Sequence, residues 1–150
     1  MSEEFYPMPS FPTLMVRNLA ASTHWYQETL GFQLVFEIRS ESGKPVLTHL
    51  RWTKYADLLL VAENPPQLLS EPKGIGVTLT FAVFEGSVDE LTEQARVRGV
   101  NIVAGPVEQP WNAREVTMLA PDGYRLTFTQ RVNHQMRIDQ VVANVIQSTD

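Results

Sequence analysis

The residues of this sequence that could do chemistry are few and scattered. His49, Asp57 and Glu115 have side chains that act as general acids or bases, or as metal ligands. Arg51 and Arg125 could hold an anionic group, because a guanidinium binds carboxylates in a bidentate manner. Scattered polar groups indicate a metal site less clearly than regularly spaced ligands do. We therefore interpret them first as ligand-binding groups and second as catalytic groups.

The composition excludes several kinds of site and partner. The sequence has no cysteine, which excludes disulfides, thiolate catalysis and Cys-based zinc sites. Its net charge is −5 and it has no Lys or Arg run, which argues against nucleic acid as a partner. The acidic N-terminus does not resemble a signal peptide, and the longest apolar run, Leu58–Ala62, is too short to span a bilayer. We expect a soluble, cytoplasmic protein without a membrane partner.

The elements that must position these residues follow from the hydrophobic pattern. Over residues 9–62 the pattern predicts the order β-α-β-β-β, with a helix that begins after Asn18 and ends at Gly31. A Pro- and Gly-rich stretch at residues 63–76 predicts a linker. The same order of elements returns over residues 77–130.

The two halves therefore form an internal repeat. Gly31 and Gly99, which end the two helices, are 68 residues apart, and so are Leu59 and Thr127 in the last strands. We predict an α+β fold of two tandem βαβββ modules. In residues 131–150, apolar side chains at helical spacing predict a C-terminal amphipathic helix that packs on the domain, on a second subunit or over a pocket.

Strand alternation then assigns side chains to one face of each sheet. The turn at Pro121–Tyr124 sets Thr117 opposite Thr127 and Glu115 opposite Thr129. In this turn we expect the Asp122 side chain to bond back to its own backbone. The repeat offset of 68 residues places His49 at the position of Thr117. The other residues that we expect on this face are Phe11, Thr13, Met15, Arg51, Asp57, Leu59, Val61, Thr78, Thr80, Ala82 and Arg125.

Two motifs resemble the vicinal oxygen chelate superfamily, which includes glyoxalase I, extradiol dioxygenases, fosfomycin-resistance enzymes and bleomycin-resistance proteins. The first motif is Phe11–Leu19 together with Trp25-Tyr26 and Leu30-Gly31-Phe32. The second, Pro110–Glu115 followed by Pro121–Phe128, is most similar to the bleomycin-resistance branch. The resemblance implies curved sheets around a pocket, helices on the convex side, and two chains that pair.

The resemblance also implies four positions at which metal-dependent members place His, Gln or Glu ligands. Here these positions hold Phe11, Leu59, Thr78 and Thr127. Two of these side chains have no donor atom, and two have only a neutral hydroxyl. We therefore expect no metal and no other cofactor. Without a metal the protein lacks the Lewis acid on which glyoxalase-type isomerisation and extradiol cleavage depend.

Trp111 precedes a predicted strand and could stack on a planar ligand or pack at a dimer interface. Trp52 and Tyr55 could extend an aromatic lining. Arg114 could clamp a ligand or form an ion pair that positions the Trp111 loop.

These observations favour a binding protein over an enzyme. We expect a metal-free homodimer that sequesters a small, partly aromatic compound, such as an antibiotic or another natural product. The alternative is a lyase, isomerase or dioxygenase of the same superfamily, with a displaced metal or with acid–base chemistry by His49 and Glu115. A third interpretation is an interaction module whose interior is closed and fully packed.

Overall fold

The structure is a computed structural model that describes residues 6–63 and 73–149. The described chain divides into two compact units, each with one four-stranded sheet. Unit 1 comprises the described residues up to Val77 together with Ala120–Tyr124, and unit 2 comprises Thr78–Leu119 and the residues from Arg125 onward. The predicted α+β fold of tandem βαβββ modules with a C-terminal helix is confirmed.

Unit 1 contains four strands and one helix. In chain order the elements are β1 (Thr13–Val16), α1 (Leu19–Leu30), β2 (Gln33–Arg39), β3 (Pro45–Thr53) and β4 (Ala56–Ala62). The sheet order is β1-β4-β3-β2, in which β1 lies parallel to β4 and the other neighbours are antiparallel. Two parallel strands need a long crossover connection, and α1, β2 and β3 form it.

Helix α1 begins and ends where the sequence predicts. The Asn18 side chain accepts a hydrogen bond from the Ala21 N–H at 3.0 Å, which satisfies one of the first backbone donors. Gly31 ends the helix with φ at 80°, a left-handed conformation that glycine adopts without a steric penalty. The helix packs on one face of the sheet, where alternate residues such as Leu50 and Leu58 are fully buried.

Unit 2 repeats this order of elements. They are β5 (Thr78–Ala82), α2 (Val88–Val97), β6 (Asn101–Gln109), β7 (Ala113–Leu119) and β8 (Arg125–Arg131). The sheet order is β5-β8-β7-β6.

The register predicted for the last hairpin of each unit is confirmed. In unit 2, Thr117 pairs with Thr127 and Glu115 with Thr129. In unit 1, His49 pairs with Leu59, the pair that the 68-residue offset relates to Thr117 and Thr127.

The turn between β7 and β8 lies in unit 1. Asp122 accepts hydrogen bonds from the backbone N–H of Arg17 at 3.1 Å and from its Nη1 at 3.0 Å. The Tyr124 hydroxyl donates to the Met15 carbonyl at 2.6 Å. A Cβ atom on Gly74 would lie 2.6 Å from the Tyr124 ring, so this close approach requires glycine. The prediction that Asp122 bonds to its own backbone is wrong, because its carboxylate binds Arg17 instead.

The predicted linker is anchored at both ends. Residues 64–72 lie outside the described part of the chain. The flanking residues Glu63 and Lys73 are buried, and Lys73 Nζ donates to Glu63 Oε1 at 2.5 Å. A charge at this depth is tolerated because the opposite charge accompanies it.

Helix α3 (Ile138–Ser148) is the predicted C-terminal amphipathic helix. None of its residues is buried by the described part of the chain, and Ile138 is 76% exposed. Every helix in the described ranges falls short of the length and apolarity that a bilayer crossing requires.

Tyr26 is a fully buried aromatic residue of α1. Its ring makes edge contacts with Trp25 and Phe32 at centroid distances of 5.0 and 5.3 Å. Within the described residues its hydroxyl has no hydrogen-bond partner. Burial raises the pKa of Tyr26 above its ordinary value of 10.0, and the nearby Tyr124 and Asp122 raise it further.

This buried hydroxyl predicts a pH dependence of stability. The folded chain favours the neutral phenol. The contribution of Tyr26 to the free energy of unfolding is therefore fully present below pH 10.0 and is lost as the pH rises towards the higher pKa of the folded state. We expect Tyr26→Phe to change the free energy of unfolding at pH 7 by less than about 1 kcal/mol. Above pH 10 the variant should lose stability less steeply than the wild type in urea titrations. Equal slopes for the two proteins would contradict this.

Candidate functional site

Three polar residues are buried on the face of the unit 1 sheet opposite α1, here called the helix-free face. On β3, the Thr48 hydroxyl bonds to Thr23 of α1 at 3.0 Å, so Thr48 faces the helix. His49 and Arg51 therefore belong to the helix-free face, as alternation predicts. Arg51 pairs with Asp57 across the β3–β4 ladder, and both are at most 5% exposed.

Asp57 joins the other two residues into one cluster. It accepts hydrogen bonds from Arg51 Nε at 2.8 Å and Nη2 at 2.9 Å, a bidentate arrangement. His49 Nε2 lies 2.6 Å from Asp57 Oδ2. A carboxylate that pairs with a guanidinium can only accept hydrogen bonds, so the proton of this contact belongs to Nε2 of the histidine. Asp57 thereby fixes both the plane of Arg51 and the orientation of the His49 ring.

The chain builds this cluster locally through a tight hairpin. Thr53 pairs with Ala56, which leaves Lys54 and Tyr55 as a two-residue turn between β3 and β4. Tyr55 has φ at 66°, a left-handed conformation that few residues other than glycine adopt. The short turn places Asp57 opposite Arg51, which lies six positions earlier in the sequence.

Tyr6 packs on Arg51 of this cluster, and the sequence alone did not predict this contact. The centroid of its ring lies 4.4 Å from the guanidinium carbon of Arg51, and its hydroxyl oxygen accepts a hydrogen bond from the Tyr55 N–H at 2.7 Å. The Tyr55 ring meets the Tyr6 ring at a centroid distance of 4.8 Å, edge to face. An isolated aromatic residue before the first strand carries no periodic signal that could have predicted this contact.

The helix-free face of unit 2 is rich in threonine. Thr117 Oγ1 and Thr127 Oγ1 share a hydrogen bond of 2.7 Å. Thr80 pairs with Thr127 across the β5–β8 ladder, so three hydroxyl groups from neighbouring strands lie on one patch. Thr78 pairs with Arg125 at the exposed end of the same two strands, and Glu115 is half-buried.

Trp111 lies in the turn between β6 and β7 and is 44% exposed. The next residue, Asn112, anchors this turn. Its Nδ2 donates to the Asn133 carbonyl at 2.8 Å, and its Oδ1 accepts from the Asn133 N–H at 2.8 Å. The indole is therefore presented to solvent from a fixed backbone.

Arg114 and Trp52 lie away from the helix-free faces. Arg114 binds Asp89 of α2 with two hydrogen bonds, at 2.8 and 2.9 Å, on the helix side of the unit 2 sheet. This hydrogen bonding by Arg114 holds the pKa of Asp89 below its usual range. Trp52 follows the helix-facing Leu50 by two residues, and its ring contacts Phe32 at a centroid distance of 5.3 Å.

The four positions at which the resemblance implies metal ligands do not fit a divalent ion. Phe11 and Leu59 have no donor atom, and the Thr127 hydroxyl is engaged with Thr117. Thr78 contributes only a neutral hydroxyl. In residues 6–63 and 73–149, no three His, Asp or Glu side chains are grouped so that they could hold a metal ion.

A separate cleft of about 200 Å³ opens on the helix side of unit 1, between α1 and strands β2 and β3. None of the sequence-predicted site residues lines it. Its lining residues are Leu19, Ala20, Thr23, His24, Gln27, Glu37, Arg39, Pro45 and Thr48.

Comparison with known proteins agrees with the fold. Residues 10–128 match the sequence model of the Glyoxalase/Bleomycin resistance protein/Dioxygenase superfamily. No curated protein matches the chain.

Many solved structures share the architecture. One is a glyoxalase/bleomycin resistance protein/dioxygenase from Nocardioides, with 22% identity and a TM-score of 0.63 over 88% of both chains. TioX from Micromonospora sp. ML1 is 20% identical, with a TM-score of 0.62 over 81% of this chain and 96% of TioX. The fosfomycin resistance protein FosX from Listeria monocytogenes is 13% identical, with a TM-score of 0.62 over 91% of this chain and 99% of FosX. At these identities the likeness concerns the fold alone.

The cluster predicts that Asp57 is required for stability. Asp57→Asn would remove the carboxylate charge that pairs with the buried Arg51 guanidinium, and we expect a loss of about 3–5 kcal/mol in the free energy of unfolding. The matched control is Asp89→Asn, which removes the carboxylate from the exposed Arg114 pair and should cost much less. Urea unfolding of the two variants checks this. Equal losses would show that the Asp57 cluster is not a buried ion pair.

Proposed function

The chain belongs to the glyoxalase/bleomycin resistance protein/dioxygenase superfamily, and we propose that it is a metal-free protein that binds and sequesters a small, partly aromatic molecule. An antibiotic or another natural product is the expected class of ligand. The observation that carries the proposal is the chemistry of the helix-free faces. They present threonine hydroxyls and aromatic rings, whereas the metal-ligand positions of unit 1 hold Phe11 and Leu59.

The threonine patch of unit 2 supports binding without catalysis. The Thr80, Thr117 and Thr127 hydroxyls can each donate and accept hydrogen bonds, but they are not acids or bases at neutral pH. Such a surface recognises a neutral polar group of a ligand through its geometry. A protein that only binds lowers the free concentration of its ligand by mass action and needs no reacting group.

Trp111 supports an aromatic ligand. Its indole is 44% exposed on a turn that the Asn112–Asn133 hydrogen bonds hold in place. A large ring on a fixed backbone contributes contact area at a small cost in conformational entropy. Exposed aromatic side chains of this kind commonly dominate the binding energy of an interface.

The contact between His49 and Asp57 favours a second candidate, a lyase, isomerase or dioxygenase in which His49 acts as an acid–base group. A carboxylate that orients a histidine is a recurrent catalytic arrangement. We rank it second because Asp57 is shared with Arg51 and His49 is only 7% exposed. One bound divalent ion per chain that is lost in His49→Ala, or product formation that requires His49, would reverse this ranking.

We also propose that the protein is a homodimer and that α3 lies in the interface. The apolar side chains of α3 form one stripe, in which Ile138, Val142 and Ile146 are exposed and Val141 and Val145 are half-buried by the described chain. An isolated helix of 11 residues is marginal in water, so packing against a second surface would stabilise it. The helix contains no Lys or Arg, which disfavours an anionic lipid surface and favours a second copy of the chain.

Ligand titration tests the binding proposal. We expect at least one compound in a panel of bleomycin-like and other planar natural products to saturate the wild type, as followed by tryptophan fluorescence. Trp111→Ala should weaken that binding about tenfold or more in calorimetric titrations, because it removes the stacking surface. Phe84→Ala, which removes another exposed aromatic ring from unit 2, is the control and should leave the affinity unchanged. No saturable ligand across the panel would leave the proposal without support.

Sedimentation analysis tests the homodimer. At micromolar concentration we expect the wild type to sediment as a dimer and Val142→Glu to sediment as a monomer, because the new charge would be buried without a partner in the interface. Gln147→Glu adds the same charge on the opposite side of α3 and should remain dimeric. A monomeric wild type would rule the proposal out.

A further inference from the structure

We propose that Tyr6 occupies, as an intramolecular ligand, a recognition site for a phenolic ring that Arg51, Lys54 and Tyr55 form in unit 1. This inference rests on the proposed binding function and narrows its ligand to a planar ring that bears a hydroxyl group. When the ligand binds, its phenol takes the place of the Tyr6 side chain.

The floor of the site is the guanidinium plane of Arg51. Two hydrogen bonds to Asp57 hold this plane in one orientation, so it is organised before any ring binds. The Tyr6 centroid lies 4.4 Å from the guanidinium carbon, within the range of cation–π attraction. This attraction acts on the face of any electron-rich ring, so it does not depend on the ring belonging to a tyrosine of the same chain.

A backbone donor selects for the oxygen of the ring. The Tyr55 N–H donates to the Tyr6 hydroxyl oxygen at 2.7 Å. The hairpin fixes the direction of this N–H, because Tyr55 adopts φ of 66° in the two-residue turn between paired strands. A ring without an oxygen at this place would leave the donor unmatched, whereas a phenol satisfies it.

Two further groups complete the site. The Tyr55 ring meets the bound ring edge to face, with centroids 4.8 Å apart. Lys54 Nζ lies 5.6 Å from the centroid of the Tyr6 ring and 5.3 Å from that of the Tyr55 ring. With Arg51 on one face and Lys54 also within reach, the site favours an electron-rich phenol, and a phenolate still more.

The attachment of Tyr6 to the chain allows a ligand to replace its side chain in the site. Tyr6 is half-buried and precedes β1 in a segment without regular secondary structure, which also contains Pro7 and Pro9. Its side chain can leave without breaking a strand ladder or a helix. Because the Tyr6 side chain occupies the site in most molecules, only the fraction with an open site can accept a ligand. The apparent affinity is reduced in proportion to that open fraction.

The test compares wild type and Tyr6→Ala in titrations with p-cresol, which carries the ring and hydroxyl of tyrosine. We expect p-cresol to shift the amide resonance of Tyr55 in both proteins and to bind Tyr6→Ala about tenfold more tightly, because the competing side chain is gone. Toluene has the same shape without the hydroxyl and should bind Tyr6→Ala about tenfold more weakly than p-cresol does. Met8→Ala alters another half-buried side chain of the same segment and should behave as the wild type.

Equal affinity of p-cresol for wild type and Tyr6→Ala, or equal affinity of toluene and p-cresol for Tyr6→Ala, would overturn the inference. If Tyr6→Ala does not fold, Tyr6→Phe serves instead. It retains the ring but loses the hydrogen bond to Tyr55, so p-cresol should displace it more easily than it displaces the wild-type side chain.

Failure of this inference can be separated from failure of the proposed function. A natural product that saturates the wild type, together with equal affinity of p-cresol for wild type and Tyr6→Ala, would overturn the Tyr6 site and leave the binding function standing. A panel without any saturable ligand, together with p-cresol binding that depends on Tyr6, would remove the broader function and retain the phenol site.

Discussion

The buried carboxylate of Asp57 is the constraint on which the helix-free face of unit 1 depends. Arg51 carries a positive charge at 5% exposure, and such a charge is tolerated only beside an opposite charge. Asp57 provides that charge and also accepts the hydrogen bond of His49. The hydrogen bonds to Asp57 fix the orientation of the Arg51 guanidinium plane, and the Tyr6 ring packs on this plane. The ion pair, the oriented histidine and the aromatic cover are therefore one arrangement.

The two modules show that one backbone pattern can carry different chemistry. The position of the Arg51–Asp57 pair in unit 1 corresponds to Leu119 and Arg125 in unit 2, which also pair across neighbouring strands. The equivalent of His49 is Thr117. The same register therefore positions a buried charged cluster in one sheet and a hydroxyl patch in the other. Membership of the superfamily fixes this backbone pattern, but the side chains at its fixed positions decide what each face can recognise.

The buried ionisable groups of unit 1 pair with one another. Asp57 is occupied by two partners, and Lys73 is paired with Glu63 at the buried ends of the linker. A catalytic site more often holds such groups ready for a substrate, whereas here they neutralise one another. In the proposed binding function, the hydroxyls of unit 2 and the exposed Trp111 contact the ligand. This distribution of charge is the reason to favour binding over turnover.

The sequence by itself determined the elements, their order and the register of the last hairpin of each unit. Alternation, the helix-ending glycines and short turns act over a few residues, so the pairing of Thr117 with Thr127 could be predicted. Only the tertiary structure decided the partners of the polar side chains. Arg114 binds Asp89 of α2, Asp122 binds Arg17 at 105 residues' distance, and Tyr6 lies on Arg51. These contacts depend on which surfaces meet after the chain folds, and local periodicity contains no information on distances between remote segments.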